Sequence, residues 1–326
     1  MDQSMCIAYS SDDTYAKYLG ISMLSLFQAN KAFAKIEVFI LDCGIRKTNK
    51  EKLLFIAKEY KRDIYFMSME TAISSLELKM GAKRISVASY ARLFLASIIP
   101  ESYDRILYLD CDTIVRDYLA EFWSVDLDKY ILAGVRDTVD KFFLKKIGME
   151  SDEYYVNAGV LLINLDNWRK ENLERKFIEF IQKFNGKVPH HDQGTINGVC
   201  KKMKYIVDPR FNMTTNIYSF TTRTIERIYY IDHYYNQDEL EYAKENPAIL
   251  HFTTGLEGRP WEENCTHPMK NEYLRTAEAS PWKYEPLLPD SRKLFVKIFS
   301  SVYKHTPLFL SETLYRIISR LTHIGE

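Results

Sequence analysis

Two carboxylates one residue apart are the residues of this sequence best suited to chemistry. Asp110 and Asp112 come directly after Ile106–Leu109, an apolar run typical of a buried strand. Because ligands in open α/β sheets bind beyond the carboxyl ends of strands, both side chains are placed to hold one divalent cation, with phosphate oxygens as its other ligands. Such a cation neutralises charge on a diphosphate leaving group. The alternative is a strand-end turn with two solvated aspartates.

His251 is a candidate for the third ligand. It lies in the short apolar run Ala248–Phe252, and Gly255, Gly258 and Arg259 follow it. An imidazole beside two carboxylates makes a mixed nitrogen and oxygen site, which suits Mn²⁺ better than Mg²⁺. The glycines would let the backbone approach a phosphate, and the arginine could clamp it. The alternative is a core histidine that bonds to a backbone carbonyl.

The turn after the first predicted strand is a candidate nucleotide site. The polar residues 10–15 lack both G-x-G-x-x-G and G-x-x-x-x-G-K-[ST], so the dinucleotide and P-loop fingerprints are absent. Carboxylates there suit the N–H and hydroxyl groups of a uridine, and Tyr15 could stack on a base. The alternative is that Asp12 or Asp13 caps the following helix.

A third polar cluster precedes a stretch of small residues that predicts a helix. It consists of His190, His191, Asp192 and Gln193, and Gly194 follows. Adjacent side chains diverge and no third ligand lies nearby in sequence, so the two histidines are interpreted as structural. The aspartate and the glutamine are interpreted as residues that line a site.

Short apolar runs alternate with amphipathic stretches along most of the chain. Because this spacing is typical of parallel βαβ units, we expect an α/β fold with a doubly wound, mostly parallel central sheet flanked by helices. A capping box at Thr48 and Glu51 predicts the start of the second helix. Single helices are predicted over Ser89–Ser97 and Asp166–Phe184. Strands are predicted over Met5–Tyr9, Ile36–Leu41, Ile64–Met67, Ile106–Leu109, Ile131–Val135, Tyr155–Leu165 and Ala248–Phe252.

The composition is globular and changes near residue 260. The 326 residues are 46% hydrophobic with 44 basic and 44 acidic residues, so disorder is excluded and no nucleic-acid partner is expected. Residues 261–290 hold four of the ten prolines and predict irregular structure. Residues 291–326 hold six basic and two acidic residues in an amphipathic pattern, which either contacts an anionic membrane or packs on the body. We expect one domain over 1–260 and a small helical region over 261–326.

The cysteines and the apolar runs indicate the cellular compartment in which the protein works. Five scattered cysteines without a C-x-x-C pair predict free thiols in a reducing environment. Residues 1–13 show no secretory signal, and no apolar run approaches the ~20 residues of a membrane span. We therefore expect a cytoplasmic protein, either free or peripheral on the inner face of the plasma membrane.

Taken in order, these motifs resemble glycosyltransferase family 8, and within it the bacterial lipooligosaccharide galactosyltransferases and lipopolysaccharide core glucosyl- and galactosyltransferases. The resemblance covers most of the chain, and six ordered blocks are far more specific than any one of them. A further stretch, Ser280–Lys283, is similar to the tail of the core glycosyltransferases. The six blocks are Ala8–Tyr15, Ile85–Leu93, Arg105–Asp112, Tyr155–Leu165, Asp192–Gln193 and His251–Trp261.

The resemblance implies a GT-A fold, which is Rossmann-like, and a retaining transfer of glucose or galactose from a UDP-sugar to a saccharide hydroxyl. The acceptor would be a surface polysaccharide or a lipid-linked glycan. The resemblance also implies Mn²⁺, with Mg²⁺ as the alternative, bound by Asp110, Asp112 and His251. Asp192 would orient the donor sugar, and Gln193 matches the position nearest its reacting face. The residues implied to bind the UDP-sugar are Ala8, Tyr9, Ser10, Asp12, Thr14, Tyr15, Arg92, Asp110, Cys111, Asn157, Gly255 and Arg259.

Three positions depart from the family's pattern. Arg259 stands where the family has a lysine before Pro-Trp, which keeps the charge and changes the donor geometry. The segment after His251 is longer than in the galactosyltransferases, so Gly258 is an alternative to Gly255 as the diphosphate contact. Gly194 replaces a carboxylate that follows the Asp-Gln pair, and that carboxylate therefore cannot be the nucleophile in this chain.

Two alternative functions come from other classes. The Asp110–Thr113 motif superficially fits a haloacid-dehalogenase-type phosphotransferase, but Ile114 stands where that motif has Thr or Val and a second acidic motif is missing. A noncatalytic module would bind a nucleotide or a glycan without turnover. For the transferase, the residue on the reacting face is Gln193, a poor nucleophile, so we favour a front-face transfer over a covalent intermediate.

Overall fold

Strands and helices alternate along the chain in this computed structural model, which describes residues 4–69, 87–294, 296–298 and 300. Short 3₁₀ helices cover Arg92–Phe94, Lys201–Met203 and Pro209–Asn212. Within these residues the strands are β1 (Ser4–Ser11), β2 (Lys35–Asp42), β3 (Asp63–Ser68), β4 (Arg105–Leu109), β5 (Thr113–Val115), β6 (Leu132–Arg136), β7 (Val156–Asn164), β8 (Lys204–Ile206), β9 (Met213–Thr214) and β10 (Ile249–His251). The α-helices are α1 (Ala16–Ala29), α2 (Lys47–Glu59), α3 (Val87–Ala91), α4 (Leu95–Ile98), α5 (Ala120–Trp123), α6 (Lys141–Lys146), α7 (Leu165–Lys170), α8 (Leu173–Lys183), α9 (His191–Cys200), α10 (Thr215–Ser219), α11 (Thr222–Tyr229), α12 (Gln237–Glu245) and α13 (Lys270–Glu278).

The central sheet has seven strands in the order β3–β2–β1–β4–β7–β6–β8. Every neighbouring pair is parallel except the two that involve β7, which runs antiparallel to β4 and β6. The predicted mostly parallel α/β sheet is therefore confirmed. Because β7 is reversed, its first residues lie at the same edge as the last residues of β1, β4 and β6. A second, three-stranded sheet has the order β5–β10–β9.

The central strands are buried on both faces, which explains why they are visible as continuous apolar runs. In β4, all four residues of Ile106–Leu109 are buried, and in β1 the residues from Met5 to Ser11 are buried. Alternate residues of β1 belong to two separate hydrophobic clusters, one with Ile7 and one with Ala8. Since successive side chains of a strand point to opposite faces, the core lies on both sides of the sheet.

The helix boundaries differ from the predictions in two respects. The capping box at Thr48 is wrong, because α2 begins at Lys47 without a side-chain cap and the Arg46 N–H donates to Asp13 Oδ1 at 2.9 Å. The predictions of single helices over Ser89–Ser97 and Asp166–Phe184 are also wrong. The first is interrupted by the 3₁₀ turn Arg92–Phe94. Its apolar pattern did not reveal the turn, because residues three apart share a face in both kinds of helix. The second is split at Asn172, which adopts φ 49°, a conformation that asparagine tolerates.

Residues 261–290 are more regular than predicted, because they contain α13. This short helix buries only Tyr273 and Thr276, so its apolar period is weak in the sequence. The region packs on α1, where the Trp261 ring lies 4.4 Å from the ring of Tyr18. The division into 1–260 and 261–326 stays a prediction, and residues 301–326 lie outside the described part.

Two expectations about thiols and membrane spans can be compared with the structure. The prediction of free thiols is confirmed, because all five cysteines are unpaired. In the described ranges, no helix has both the length and the apolar character needed to cross a bilayer.

Candidate active site

Three potential metal ligands meet at the carboxyl edge of the central sheet. Asp110 and Asp112 directly follow β4, and His251 is the last residue of β10. One ligand atom from each lies within 4.8 Å of the others. The His251 Nε2 atom is 3.2 Å from Asp112 Oδ1 and 3.9 Å from Asp110 Oδ2. The structure therefore brings together the three side chains that the sequence singled out.

A buried amide orients the imidazole of His251. Its Nδ1 lies 2.9 Å from Asn212 Oδ1, while Asn212 Nδ2 donates to Asn157 Oδ1 at 2.9 Å. Because Asn212 accepts through its oxygen, Nδ1 carries the proton and Nε2 is directed at the carboxylates. Such an outer partner fixes the tautomer and the ring orientation of a metal-binding histidine.

Gly159 leaves the space that these ligands occupy. A Cβ at this position of β7 would overlap the His251 ring and lie 2.7 Å from Asp110 Oδ2. The Gly159 carbonyl also accepts from the Asp110 N–H at 2.7 Å. The strand therefore approaches the ligand cluster more closely than any residue with a side chain would permit.

A buried arginine links Asp110 to Asp192. Arg92 donates from Nη2 to Asp110 Oδ1 at 2.7 Å, and its Nε lies 3.0 Å from Asp192 Oδ2. The Tyr108 hydroxyl also donates to Asp110 Oδ1, at 3.1 Å. Burial raises the pKa of the Asp192 carboxyl, although the charge of Arg92 opposes this shift. Three predicted site residues thus form one connected group.

Gln193 and Asn157 both bind a carboxylate that the sequence analysis did not identify. Asp137 Oδ2 accepts from Gln193 Nε2 at 2.9 Å and from Asn157 Nδ2 at 3.0 Å. Gln193 Oε1 also accepts from the Ala158 N–H at 2.9 Å. Both ends of the glutamine amide are therefore fixed, and Asn157 connects this network to Asn212.

Arg259 forms an ion pair with a predicted metal ligand. Its Nη1 is 2.8 Å from Asp112 Oδ2, and its Nη2 donates to Thr254 Oγ1 at 3.1 Å. Burial alone raises the pKa of Asp112, but the charges of His251 and Arg259 hold that pKa well below its usual range. Burial lowers the pKa of His251, but the charge of Asp112 outweighs it and raises the pKa above its ordinary value.

The residues predicted to bind the nucleotide lie in the last part of β1 and in the turn that follows it. Asp12 Oδ1 accepts from the Tyr15 N–H at 3.0 Å in the turn before α1. The capping alternative is wrong, because α1 begins at Ala16 without a side-chain cap. The Tyr15 ring is 41% exposed, so its face is available for stacking. Ala8 and Tyr9 are fully buried in β1, Ser10 is buried at its end, Thr14 is exposed, and the Cys111 thiol donates to the Ser10 carbonyl at 3.2 Å.

The two candidate glycines after His251 have different surroundings. A Cβ on Gly255 would lie 2.6 Å from Thr215 Cγ2 and 3.1 Å from Glu257 Oε2. Gly258 has φ +75° and faces the guanidinium of Arg292. Gly258 is therefore required by its backbone conformation, and Gly255 by the close approach of a neighbouring side chain.

The histidine pair has the structural surroundings that the sequence suggested. The His190 ring stacks on the Phe143 ring at 3.9 Å, and its Nδ1 lies 3.2 Å from the Tyr155 hydroxyl. His191 N–H bonds to the Val188 carbonyl in the turn that starts α9. The block that begins at Ile85 is described only from Val87 onward.

The donor set fits a divalent cation that accepts both oxygen and nitrogen ligands. Asp110 and Asp112 offer carboxylate oxygens, and His251 offers an Nε2 whose direction is fixed by Asn212. The missing side chain of Gly159 leaves room for the His251 ring and for Asp110 Oδ2. An imidazole among carboxylates suits a divalent transition metal, whereas Mg²⁺ favours oxygen ligands alone.

Sequence reasoning missed three residues that shape this site. Asp137 directly follows β6, as Asp110 follows β4, so its place at the sheet edge could have been inferred. Gly159 lies within an apolar strand, where glycine often marks the close approach of another group. Asn212 left no signal, because it meets His251 from a short 3₁₀ helix 39 residues away.

The fold and the site together define a glycosyltransferase of the GT-A class. A crystal structure of the galactosyltransferase LgtC in complex with donor and acceptor sugar analogs superimposes with a TM-score of 0.72. It is 28% identical, and the match covers 85% of this chain and 96% of that one. This chain belongs to glycosyl transferase family 8, since the profile of that family matches residues 6–265. The family resemblance, the fold class and the enzyme class predicted from the motifs are therefore confirmed.

Two curated proteins show the range of its relatives. General stress protein A of Bacillus subtilis is 28% identical over 284 residues, which are 86% of this chain and 96% of that protein. The lipopolysaccharide 1,2-glucosyltransferase of Escherichia coli is 23% identical over 303 residues, or 92% of this chain and 84% of that enzyme.

Proposed function

We propose that this enzyme is a retaining hexosyltransferase that moves glucose or galactose from a UDP-sugar to a hydroxyl of a saccharide acceptor. The observation that carries the proposal is the convergence of Asp110, Asp112 and His251 within 4.8 Å, beside the Arg92–Asp192 pair. The similarity to a galactosyltransferase solved with donor and acceptor sugar analogs supports it.

The proposed cofactor is Mn²⁺, with Mg²⁺ as the alternative, held by Asp110, Asp112 and His251. When bound, the cation supplies positive charge that neutralises the diphosphate of the leaving UDP. Arg259 adds a second positive charge next to Asp112. The imidazole in the donor set is the reason for preferring Mn²⁺.

The remaining proposed contacts to the donor divide among three parts of the nucleotide sugar. Arg92 and Asp192 orient the sugar, and Asn157 supports its pocket through Asp137. Gly255 and Arg259 contact the diphosphate. The uridine is assigned to the first strand and its turn, with Cys111 beside them, through Ala8, Tyr9, Ser10, Asp12, Thr14 and Tyr15.

The proposed transfer proceeds on one face of the sugar. The bond from C1 to the phosphate oxygen breaks with its electron pair on UDP, and the acceptor oxygen bonds to C1 from the same side. The acceptor proton goes to a departing phosphate oxygen. Gln193 does not attack, because its amide is a poor nucleophile and donates to Asp137. The protein contributes positioning and charge stabilisation.

UDP release from UDP-glucose and UDP-galactose, with and without Mn²⁺, tests this function. We expect Mn²⁺-dependent release that an acceptor stimulates, and a loss of at least 100-fold in Asp112→Asn. Asp166→Asn is the matched control, because that carboxylate is exposed and pairs with Arg169 outside the site. No release from either UDP-sugar, or equal activity of both variants, contradicts the proposal.

The acceptor is proposed to be a surface polysaccharide or a lipid-linked glycan. The similarity to an enzyme named lipopolysaccharide 1,2-glucosyltransferase supports this class. We further propose that residues 291–326 contact the anionic inner face of the plasma membrane. The side chains of Leu294 and Ile298 are 73% and 57% exposed, which supports an unburied apolar face beside the basic residues.

Vesicle sedimentation tests the membrane contact. Full-length protein should sediment with vesicles that contain phosphatidylglycerol and not with pure phosphatidylcholine, and a chain that ends at residue 290 should sediment with neither. Equal binding of both chains to anionic vesicles rejects the contact. The haloacid-dehalogenase-type alternative is not favoured, because the chain belongs to a glycosyl transferase family.

A further inference from the structure

A pocket of about 290 Å³ opens beside the candidate active site. Its walls come from the end of β6, the start of α6, the segment before β7 and the loop after α11. Pockets for small molecules range over about 300–1,000 Å³, so this one fits a single sugar ring better than a longer ligand.

The pocket is continuous with the residues that hold Gln193. Asp137 lines it, and the same carboxylate accepts hydrogen bonds from Gln193 and Asn157. Tyr155 also lines it, and its N-terminal neighbour Tyr154 forms part of the outer wall. A ligand in the pocket would therefore lie next to the side chain assigned to the reacting face of the donor.

Exposed aromatic rings surround this pocket. Tyr154 is 50% exposed, and the Arg136 guanidinium covers its ring at 4.4 Å. Phe142 is 54% exposed, and its ring lies 5.8 Å from that of Tyr230, which lines the pocket. Aromatic rings that remain half-exposed around a polar pocket offer faces on which the C–H surface of a pyranose can pack.

The polar groups of the pocket suit hydroxyls rather than an anion. Lys141, Ser151 and Asp232 line it, and in the described part of the chain none of their side chains has a hydrogen bond or an ion pair. They offer donors and an acceptor to a ligand. Acidic residues outnumber lysine and arginine in the lining, which disfavours a phosphate or a carboxylate. The charged lining residues are Arg136, Lys141, Asp137, Asp152, Glu153 and Asp232.

We propose that this pocket is an outer acceptor subsite that binds a neutral pyranose unit adjacent to the one that receives the hexose. This inference rests on the proposed function. Tyr154 packs against the ring of that unit, and Lys141 and Asp232 hydrogen-bond its hydroxyls. The subsite makes the enzyme select acceptors of at least two sugar units, because a monosaccharide leaves these contacts unmade.

Matched pairs of methyl glycosides test the subsite. Methyl β-lactoside is compared with methyl β-galactoside, and methyl β-cellobioside with methyl β-glucoside, with UDP-galactose or UDP-glucose and Mn²⁺. We expect wild type to have a kcat/KM at least tenfold higher for one disaccharide than for its matched monosaccharide. Tyr154→Ala and Lys141→Gln should reduce the disaccharide value toward that of the monosaccharide and leave the monosaccharide value unchanged.

Three controls accompany these variants. Tyr154→Phe keeps the aromatic ring and should retain most of the preference for the disaccharide. Tyr242→Ala removes a tyrosine that lies outside the pocket and is 54% exposed, and thermal unfolding shows that each variant folds. A wild type that hydrolyses UDP-hexose but prefers no disaccharide, or a Tyr154→Ala variant that keeps the preference, overturns the subsite. If wild type hydrolyses neither UDP-hexose, the proposed function fails first, and the subsite fails with it.

Discussion

Gly159 shows how strongly one residue can constrain the geometry of the candidate metal site. The His251 ring and Asp110 Oδ2 occupy the space that a side chain at this position would fill. An added Cβ must therefore displace at least one of these two side chains. We predict that Gly159→Ala weakens Mn²⁺ binding by 10-fold or more, measured by calorimetry with UDP present. Because β7 accepts alanine elsewhere, far-ultraviolet circular dichroism should remain that of wild type.

Gly134 provides the matched control for this substitution. It also lies in a strand of the central sheet, but its added Cβ would be 3.0 Å from Leu161 Cδ2, the end of a flexible side chain. Gly134→Ala should therefore bind Mn²⁺ like wild type. Normal Mn²⁺ affinity in Gly159→Ala would show that the ligands do not meet at this point.

Arg259 is expected to act on the metal and on UDP in opposite directions. Its guanidinium holds Asp112 Oδ2 at 2.8 Å, so it competes with a cation for that oxygen. We predict that Arg259→Ala binds Mn²⁺ alone several-fold more tightly and binds UDP about tenfold more weakly when Mn²⁺ is present, because one charge-assisted contact to the diphosphate is lost. Calorimetric titrations of Mn²⁺ and then of UDP measure both affinities.

The control for this arginine is Arg175→Ala, since Arg175 pairs with Glu179 on an exposed helix face. Both of its affinities should equal those of wild type. Tighter UDP binding in Arg259→Ala would exclude the proposed diphosphate contact. A weaker affinity for Mn²⁺ alone would exclude the competition.

At the scale of elements, α1 is the platform on which residues 261–290 dock. The Trp282 ring packs against Gly20 and is 3% exposed, and its Nε1 donates to Asn49 Oδ1 at 3.3 Å. We predict that Trp282→Ala lowers the free energy of unfolding by about 3–5 kcal/mol, because it removes a large buried aromatic ring. Urea denaturation measures this loss.

A neighbouring exposed aromatic residue, Tyr284, provides the control for Trp282→Ala. Tyr284 is 89% exposed, so Tyr284→Ala should change the free energy of unfolding by about 0.5 kcal/mol or less. Trypsin should also cleave Trp282→Ala faster than wild type within 261–290. If both alanine variants unfold at the same urea concentration, the region does not depend on this anchor.

The elements that could be predicted from sequence are those with enough buried residues to form either a continuous apolar run or a clear helical period. Buried strands such as β1 and β4 appear as apolar runs, and the carboxylates at their ends were therefore located correctly. β5 and β9 have three and two residues, too few to show any alternation. α13 was missed because only two of its residues are buried.

The site could be predicted only as far as its ligands follow strands. Asp110, Asp112 and His251 were selected as candidates in this way, and the structure places them together. Asp137 follows β6 in the same manner. The contacts between side chains could not be found, because they join distant segments through geometry alone. Asn212 beside His251 and Arg259 beside Asp112 are separated by 39 and 147 residues.

At the scale of the whole molecule, one buried histidine couples stability to pH. His267 is 3% exposed, its Nδ1 accepts from the Met269 N–H at 3.1 Å, and its buried Nε2 has no hydrogen-bond partner in the described structure. Burial lowers the pKa of His267 from 6.5 to about 4, so the folded protein favours the neutral ring.

The sign of the effect follows from the two protonation states. Between pH 6.5 and about 4 the unfolded chain holds the proton and the folded chain does not, so this contribution to stability is complete above pH 6.5 and is lost as the pH falls. We predict that His267 accounts for about 2 kcal/mol of the stability lost between pH 7 and pH 5. His267→Asn retains an acceptor for the Met269 N–H and cannot be protonated, so urea denaturation at the two pH values should show a correspondingly smaller loss.

The absolute stability of the variant will be lower at both pH values, because its side chain is smaller. The prediction therefore concerns only the change in the free energy of unfolding between pH 7 and pH 5. An equal pH dependence in the two proteins would mean that His267 is already protonated in the folded state, or that it is solvated enough to keep its ordinary pKa.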